Sequence, residues 1–141
     1  YSDLVAQYFM CIKKPLVEKA FKSKLIPTYS FSRVYFKDNV MKRHSDRPSC
    51  EVSVSLNIWS DTQWPLWFET EKGDVPMYTK PGEAVFYEGQ KYNHWREPFE
   101  GESCFQIFMH YIRAEGENRD RAYDGMENIK YPKLIMKPWL K

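Results

Sequence analysis

At 141 residues, with 43% hydrophobic and 17% aromatic residues, the chain has the length of one domain and the side chains for a sheet-rich core without disulfide or metal staples. Its net charge is only +2, with lysine and arginine interleaved among aspartate and glutamate, so no electrostatic footprint for nucleic acid or an anionic membrane is present. Cys11, Cys50 and Cys104 are odd in number, far apart and without C-x-x-C spacing, which argues against a disulfide framework or structural zinc and for a reducing, cytoplasmic setting.

No stretch approaches the roughly 20 apolar residues of a membrane-spanning helix, and no secretory leader precedes the first charged residues. The chain opens at Tyr1 rather than at methionine, which leaves room for elements N-terminal to it. From Asp3 to Lys24 the residues Leu4, Val5, Tyr8, Phe9, Ile12, Leu16, Val17, Ala20 and Phe21 recur at intervals of three and four. That spacing predicts one or two amphipathic helices broken near Pro15. "LIPTYSFSRVYF" switches to alternation and predicts a strand from about Thr28 to Phe36, with Tyr29, Phe31, Arg33 and Tyr35 on one face and a "KDN" turn after it.

"CEVSVSLNIW" is the cleanest strand: Val52, Val54, Leu56 and Ile58 form an apolar face, and Ser53, Ser55 and Asn57 line the other with small polar groups. Short strands follow, with turns at Gly73-Asp74 and Pro81-Gly82, and "KYNHWREPFEGESCFQIFMHYI" reads as two strands joined by a turn around Gly101. Trp59, Trp64 and Trp67 cluster at a strand end, where a core role outweighs that of a substrate floor. After Arg113 the chain turns charged, with a short helix near Met126 and a proline-bounded end. Helix first, then about seven short strands with tight turns, predicts a single domain over 1–141: mainly β, an antiparallel double-sheet jelly roll with N-terminal helices packed on one sheet. Residues 1–26 are the helical support, 27–113 the β-barrel core and 114–141 a wrap over the barrel.

His44 and Asp46, at i and i+2 and so facing the same way if both lie on one strand, are either a pair of metal ligands or two polar residues at a bend. A third ligand must come from elsewhere, and His94 follows "AVFYEGQKYN", where a strand returns to the same end of the barrel. Two imidazoles and a carboxylate on one side of an ion leave about three positions open, a set that suits Fe(II) with a co-substrate and oxygen. An H-x-D pair alone is weak, and its context raises it: Tyr35 before, a strand directly after, and a later His behind a Pro-Gly turn.

In this order, Tyr35, His44-x-Asp46, "EVSVSLNI", "PGEAVFYEG", His94 and "PFEGESCFQIFMHY" resemble the prolyl-hydroxylase-like branch of the Fe(II)/2-oxoglutarate-dependent oxygenases, particularly small bacterial and phage members. The resemblance covers about Leu25 to Tyr111, with an echo in "YDG" at Tyr123 to Gly125. It implies a double-stranded β-helix, Fe(II) held by His44, Asp46 and His94, and 2-oxoglutarate and O2 as co-substrates. The reaction it implies is hydroxylation of a C–H bond in a peptidyl or amino-acid substrate, with release of succinate and CO2. Tyr35 would then hydrogen-bond the keto acid.

Related enzymes anchor the far carboxylate on an arginine or lysine about ten residues after the second His, where this chain has Ser103 and Cys104. Arg96, two after His94 and facing the same way on a strand, is the first substitute, since a guanidinium offers a carboxylate a two-pronged fork. Arg33, on the face of Tyr35, is second, and His110 third, although an interior hydrogen-bonded histidine is the commoner role. Ser55 adds a hydroxyl to the same pocket. Arg47 and Pro48 are read as loop anchors. Two other readings stay open: a cupin-like metalloenzyme that does not use 2-oxoglutarate, and a non-catalytic jelly-roll interaction module. Oligomeric state is not legible.

Overall fold

The computed structural model describes residues 3–125. The expected helix near Met126 and the rest of the proline-bounded end lie outside the described residues.

One helix, α1 (Leu4–Phe21), opens the chain and runs through Pro15, where a break was expected. Proline there forgoes a single backbone hydrogen bond, while Ala6, Met10 and Val17 are buried on either side of it. Burial of a side chain such as Val or Met is worth about 1.5–3 kcal/mol, enough to carry the helix across one lost bond. Asp3 caps the N-terminus, accepting from the Val5 amide at 2.9 Å. Lys22 closes the other end in the left-handed region at φ 51°, its N–H donating to the Glu18 carbonyl.

Eight strands follow: β1 (Leu25–Phe36), β2 (Met41–His44), β3 (Val52–Ser60), β4 (Leu66–Thr70), β5 (Gly73–Met77), β6 (Ala84–Tyr87), β7 (His94–Arg96) and β8 (Ser103–Arg113). They form two antiparallel four-stranded sheets, ordered β1-β8-β3-β6 and β2-β7-β4-β5. Consecutive strands mostly alternate between the sheets, the interleaving of a jelly roll or double-stranded β-helix. β1 starts three residues earlier than the sequence pattern suggested, because Leu25 joins the core under α1. The turn between β4 and β5 is Glu71-Lys72, with Gly73 already paired to Thr70. β7 and β8 do not pair across Gly101: they belong to opposite sheets, and the loop between them changes layer.

The alternation of β3 decides where the core sits. Its apolar side, Val52, Val54 and Leu56, meets Ile107, Met109 and Tyr111 of β8 and the buried face of α1, so the main apolar layer lies outside the barrel, between sheet and helix. Tyr111 locks the two together by donating from its hydroxyl to the Met10 carbonyl at 2.7 Å. The other side of β3 looks into the barrel, where Ser53, Ser55 and Asn57 are all buried. Two aromatic clusters fill the rest of the interior, Tyr35 with Trp64, Phe99, Cys104 and Phe108 at one end, and Leu66 with Phe68, Val85 and Tyr87 at the other. Of the three clustered tryptophans Trp64 is core, Trp67 is half-buried and stacks on Trp95, and Trp59 is exposed. Among the described residues no helix is long and apolar enough to cross a membrane.

Candidate metal centre

His44 ends β2 and pairs across the sheet with His94, the first residue of β7. This pairing puts the two imidazoles side by side, ring centroids 4.5 Å apart. Asp46 lies beyond the end of β2, not on a strand shared with His44 as the spacing suggested. The loop beneath holds it: its backbone N–H donates to the Gly89 carbonyl at 2.8 Å. Gly89 is itself required, because a Cβ at that position would collide with Asp46 Oδ2 and with the Cys50 carbonyl oxygen. The sequence reading missed Gly89, whose only signal is a glycine two residues past the end of a strand.

The donor atoms converge. His44 Nε2 lies 3.5 Å and His94 Nε2 3.7 Å from Asp46 Oδ1, and one ligand atom of each residue falls within 4.8 Å of the other two. Both Nδ1 atoms are engaged elsewhere, His44 with the Lys42 carbonyl at 2.7 Å and His94 with the Tyr92 carbonyl at 3.0 Å. A carbonyl only accepts, so each Nδ1 carries a ring proton; His94 Nε2 then presents a lone pair in the neutral ring, and His44 Nε2 does so once it gives up the proton that bonds Asp46. These orienting bonds are what metal-bound histidines use to fix tautomer and ring plane. With bonds of roughly 2.1 Å, neighbouring ligands sit roughly 3.0–3.4 Å apart, so closure by a few tenths of an ångström would seat an ion.

Electrostatics favour a cation. Burial pushes the Asp46 carboxyl up, but the hydrogen bond with His44, the nearby imidazoles of His94 and His110 and the Ser53 hydroxyl outweigh it and hold the group below its usual range. His44 moves up through its bond to Asp46, and His94 moves down because it is buried. At neutral pH the trio is therefore an ionised carboxylate beside a neutral His94. Ser53 Oγ reaches Asp46 Oδ2 at 3.1 Å and His110 Nδ1 at 2.9 Å, a contact set that the sequence reading did not assign.

One layer further in, Arg96 follows His94 into the barrel and is 2% exposed. It donates to the Trp64 carbonyl and, at 3.2 Å, to Ser55 Oγ, and its guanidinium lies 4.8 Å from the Trp64 ring centroid. Its Nε has no partner, and it takes part in no ion pair among the described residues. Burial pushes its pKa down, the direction for a cation held without a neutralising carboxylate. Tyr35 is buried nearby, its hydroxyl pushed up by burial against the charges of Arg33 and Arg96. Arg33 is exposed and lies over the Tyr35 ring at 4.6 Å. His110 is buried, near Tyr29 and Phe31. Where an arginine or lysine was expected, Ser103 Oγ accepts from Trp59 Nε1 at 3.3 Å and Cys104 is buried in the Tyr35 cluster. Arg47, read as a loop anchor, pairs with Asp124 at 2.8 Å.

A groove of about 580 Å³ runs beside β5 and β6, lined by Phe68, Val75, Met77, Val85, Tyr87 and Tyr92 among others. Two of its walls, Phe68 and Tyr87, are rings that pack on His94, at 5.8 and 4.8 Å between centroids.

The fold and the cluster define an eight-stranded double-stranded β-helix with a His-Asp-His group at one end of the barrel. No protein-family model matches the sequence, and no curated protein matches it. Solved structures do match in fold. An oxidoreductase of the 2OG-Fe(II) oxygenase family from Burkholderia pseudomallei is similar over 76% of this chain and 54% of its own, at 16% identity and a TM-score of 0.62. AviO1 from Streptomyces viridochromogenes is similar over 73% of this chain and 57% of its own, at 16% identity and a TM-score of 0.61. A non-heme monooxygenase, the ThoJ nickel complex, is similar over 72% of this chain and 49% of its own, at 11% identity and a TM-score of 0.57. The chain spans about half the length of these proteins.

Proposed function

We infer that the protein is a non-heme Fe(II)/2-oxoglutarate-dependent oxygenase that hydroxylates a C–H bond, and that the prolyl-hydroxylase-like branch is the part of that superfamily it resembles most in residue order. The observation that carries this reading is the pairing of two features: His44 Nε2, His94 Nε2 and Asp46 Oδ1 converge while both Nδ1 atoms are bonded elsewhere, and a buried Arg96 without a carboxylate partner lies one layer below. His44, Asp46 and His94 would hold Fe(II) by one face. Bound there with 2-oxoglutarate and O2, the metal would supply the oxidising power that converts substrate C–H to C–OH, one oxygen atom going to product and one to succinate, with CO2 released.

Each remaining residue has a task that its own chemistry sets. Arg96 accepts the far carboxylate of 2-oxoglutarate, which supplies the missing negative charge and an acceptor for its idle Nε–H. Ser55 shares that carboxylate, and Tyr35, on the same sheet, bonds the keto acid. Arg33, exposed and laid on Tyr35, steers the dianion toward the mouth. Tyr87 and Phe68 keep bulk water from His94. The groove beside β5 and β6 suits a peptidyl or amino-acid substrate, because these are the outer strands of the two sheets and offer unpaired backbone groups next to apolar walls.

A second reading, a cupin-like metalloenzyme that does not use 2-oxoglutarate, rests on Ser103 and Cys104 standing where related oxygenases keep a basic anchor. Anaerobic titration with Fe(II) and then 2-oxoglutarate separates the two. The oxygenase reading requires the weak visible charge-transfer band of a bidentate keto acid, and succinate once air is admitted. Metal uptake without any effect of 2-oxoglutarate supports the cupin-like enzyme. Failure to take up Fe, Mn, Ni or Zn supports a non-catalytic jelly-roll module.

A further inference from the structure

His110 sits on β8 opposite Ser53 of β3, buried, with one ring nitrogen in a hydrogen bond and the other in none. The direction of the hydrogen bonds follows from what each atom can do. Asp46 is ionised and only accepts. Ser53 has one proton, and three atoms lie within reach: Asp46 Oδ2 at 3.1 Å, the Cys50 carbonyl at 3.3 Å and His110 Nδ1 at 2.9 Å. A bond to a carboxylate is roughly twice as strong as one between neutral groups, so the proton goes to Asp46. His110 Nδ1 must then be the protonated nitrogen and donate to Ser53 Oγ. This tautomer leaves the buried Nε2 as a bare lone pair, which costs less than a buried N–H without an acceptor. The unpartnered atom and the short contact to Ser53 are thus explained by the same assignment.

The two oxygens of Asp46 thereby have different surroundings. Oδ2 is enclosed by the Ser53 hydroxyl on one side and by Gly89, with no room for a Cβ, on the other. Oδ1 alone faces the two histidine Nε2 atoms. A carboxylate held this way binds an ion through a single oxygen, and a single oxygen is what leaves further positions free for co-substrates.

We propose that His110 is a positioning residue of the metal centre, which through Ser53 holds the outer oxygen of Asp46 and so fixes one-oxygen coordination by the inner one. This rests on the metal reading of His44, Asp46 and His94. Loss of the chain would free the Asp46 carboxylate to turn, and partners that orient metal ligands are typically worth 10- to 100-fold in metal affinity.

The test is Co(II) binding to the whole chain, followed by calorimetry and by the visible d–d spectrum. His110→Phe fits the aromatic surroundings of Tyr29 and Phe31 but donates nothing, and is expected to bind Co(II) roughly 10- to 100-fold more weakly. His110→Asn puts an amide N–H near the position of Nδ1 and is expected to recover most of that loss. Ser53→Ala should lose as much as His110→Phe, and the double variant no more than either, because both act on one chain. Thermal unfolding of each metal-free variant verifies that it folds. In the wild type, nitrogen NMR should show His110 protonated at Nδ1 and bare at Nε2. His110→Phe with wild-type Co(II) affinity, His110→Asn as weak as His110→Phe, fully additive losses, or the opposite tautomer would each overturn the proposal. A wild-type chain that takes up no Co(II) overturns the metal reading itself, a distinct outcome.

Discussion

Arg96→Met separates a guanidinium waiting for an anion from one that holds the fold together. Methionine keeps the stem of the side chain and removes the charge. In the protein without ligand the variant loses two charged hydrogen bonds, to Trp64 and Ser55, worth roughly 1.5–3 kcal/mol each, and a cation–π contact of about 0.5–2 kcal/mol. It regains the desolvation penalty of a buried ion, several kcal/mol after relaxation, and the roughly 1–3 kcal/mol charged to the orphaned Nε–H. The two sides nearly cancel, so unfolding free energy should stay within about 2 kcal/mol of wild type. One member of a buried ion pair would cost roughly 3–5 kcal/mol instead. The second half of the experiment adds Ni(II), a redox-inert stand-in for Fe(II), with 2-oxoglutarate at about 100 times its Kd. Wild type should gain about 2.7 kcal/mol, which for a domain of this size raises Tm by roughly 10 °C, and Arg96→Met should gain nothing from 2-oxoglutarate at that concentration. Thermal unfolding with and without ligand reads both effects. A loss of 3 kcal/mol or more in the empty protein, or a 2-oxoglutarate response equal to that of wild type, refutes the reasoning.

Three further outcomes follow from the same geometry. Asp46→Ala should form no succinate from 2-oxoglutarate, and turnover at the wild-type rate would remove Asp46 from the centre. Gly89→Ala forces a methyl group into Asp46 Oδ2 and the Cys50 carbonyl. It should cost roughly 1–3 kcal/mol in urea unfolding and weaken Co(II) binding as well, and a variant normal in both would show that the loop simply moves aside. His110, held at about 4 by burial, stays neutral in the fold while the unfolded chain protonates it near pH 6.5. Its contribution is therefore complete above about pH 6.5 and drains away as pH falls toward 4, by on the order of 3 kcal/mol. Urea midpoints between pH 7.5 and 4.5 should fall less steeply for His110→Phe than for wild type, and parallel slopes would contradict the assignment.

What the sequence made legible depended on how local the determining physics was. The alternation of β3 is local, and it sorted apolar from polar positions correctly before any partner strand was known. The helix after Asp3 was equally legible, while its passage through Pro15 was not, because burial of Met10 and Val17 against β3 and β8 is a tertiary effect that outweighs one missing bond. The layer change between β7 and β8 was hidden for a similar reason: a glycine turn looks the same whether the next strand pairs with its predecessor or crosses to the opposite sheet. In the site, residue types and spacing singled out His44, Asp46 and His94, and the structure brings them together, yet it does so by a cross-strand pair and a loop rather than by the shared strand face assumed from the spacing. Gly89 and Ser53 carry no chemical signature of their own, so their roles emerge only when Asp46 is seen pressed between them.

The inner face of β3 shows why such an interior is kept. Valine or leucine at 53, 55 and 57 would continue the alternation with apolar groups on both sides, and a barrel this small would gain stability from filling its centre with them. The chain instead places Ser53, Ser55 and Asn57 there, all at 3% exposure or less, and must satisfy each. Ser53 reaches Asp46 and His110, Ser55 meets Arg96 and Gln106, and Asn57 donates to the Thr79 carbonyl at 3.0 Å. Two of the three serve a charged group, Ser53 the Asp46 carboxylate and Ser55 the Arg96 guanidinium. Buried polar side chains cost stability unless every partner is present, and among the described residues Arg96 Nε, His110 Nε2, Asn57 Oδ1 and Ser30 Oγ lack one. An interior arranged only for folding would have removed the Arg96 charge along with the serines. Keeping that charge, with Arg96 Nε unpartnered beside Ser55, is what the oxygenase reading proposed above expects of an anion-binding interior.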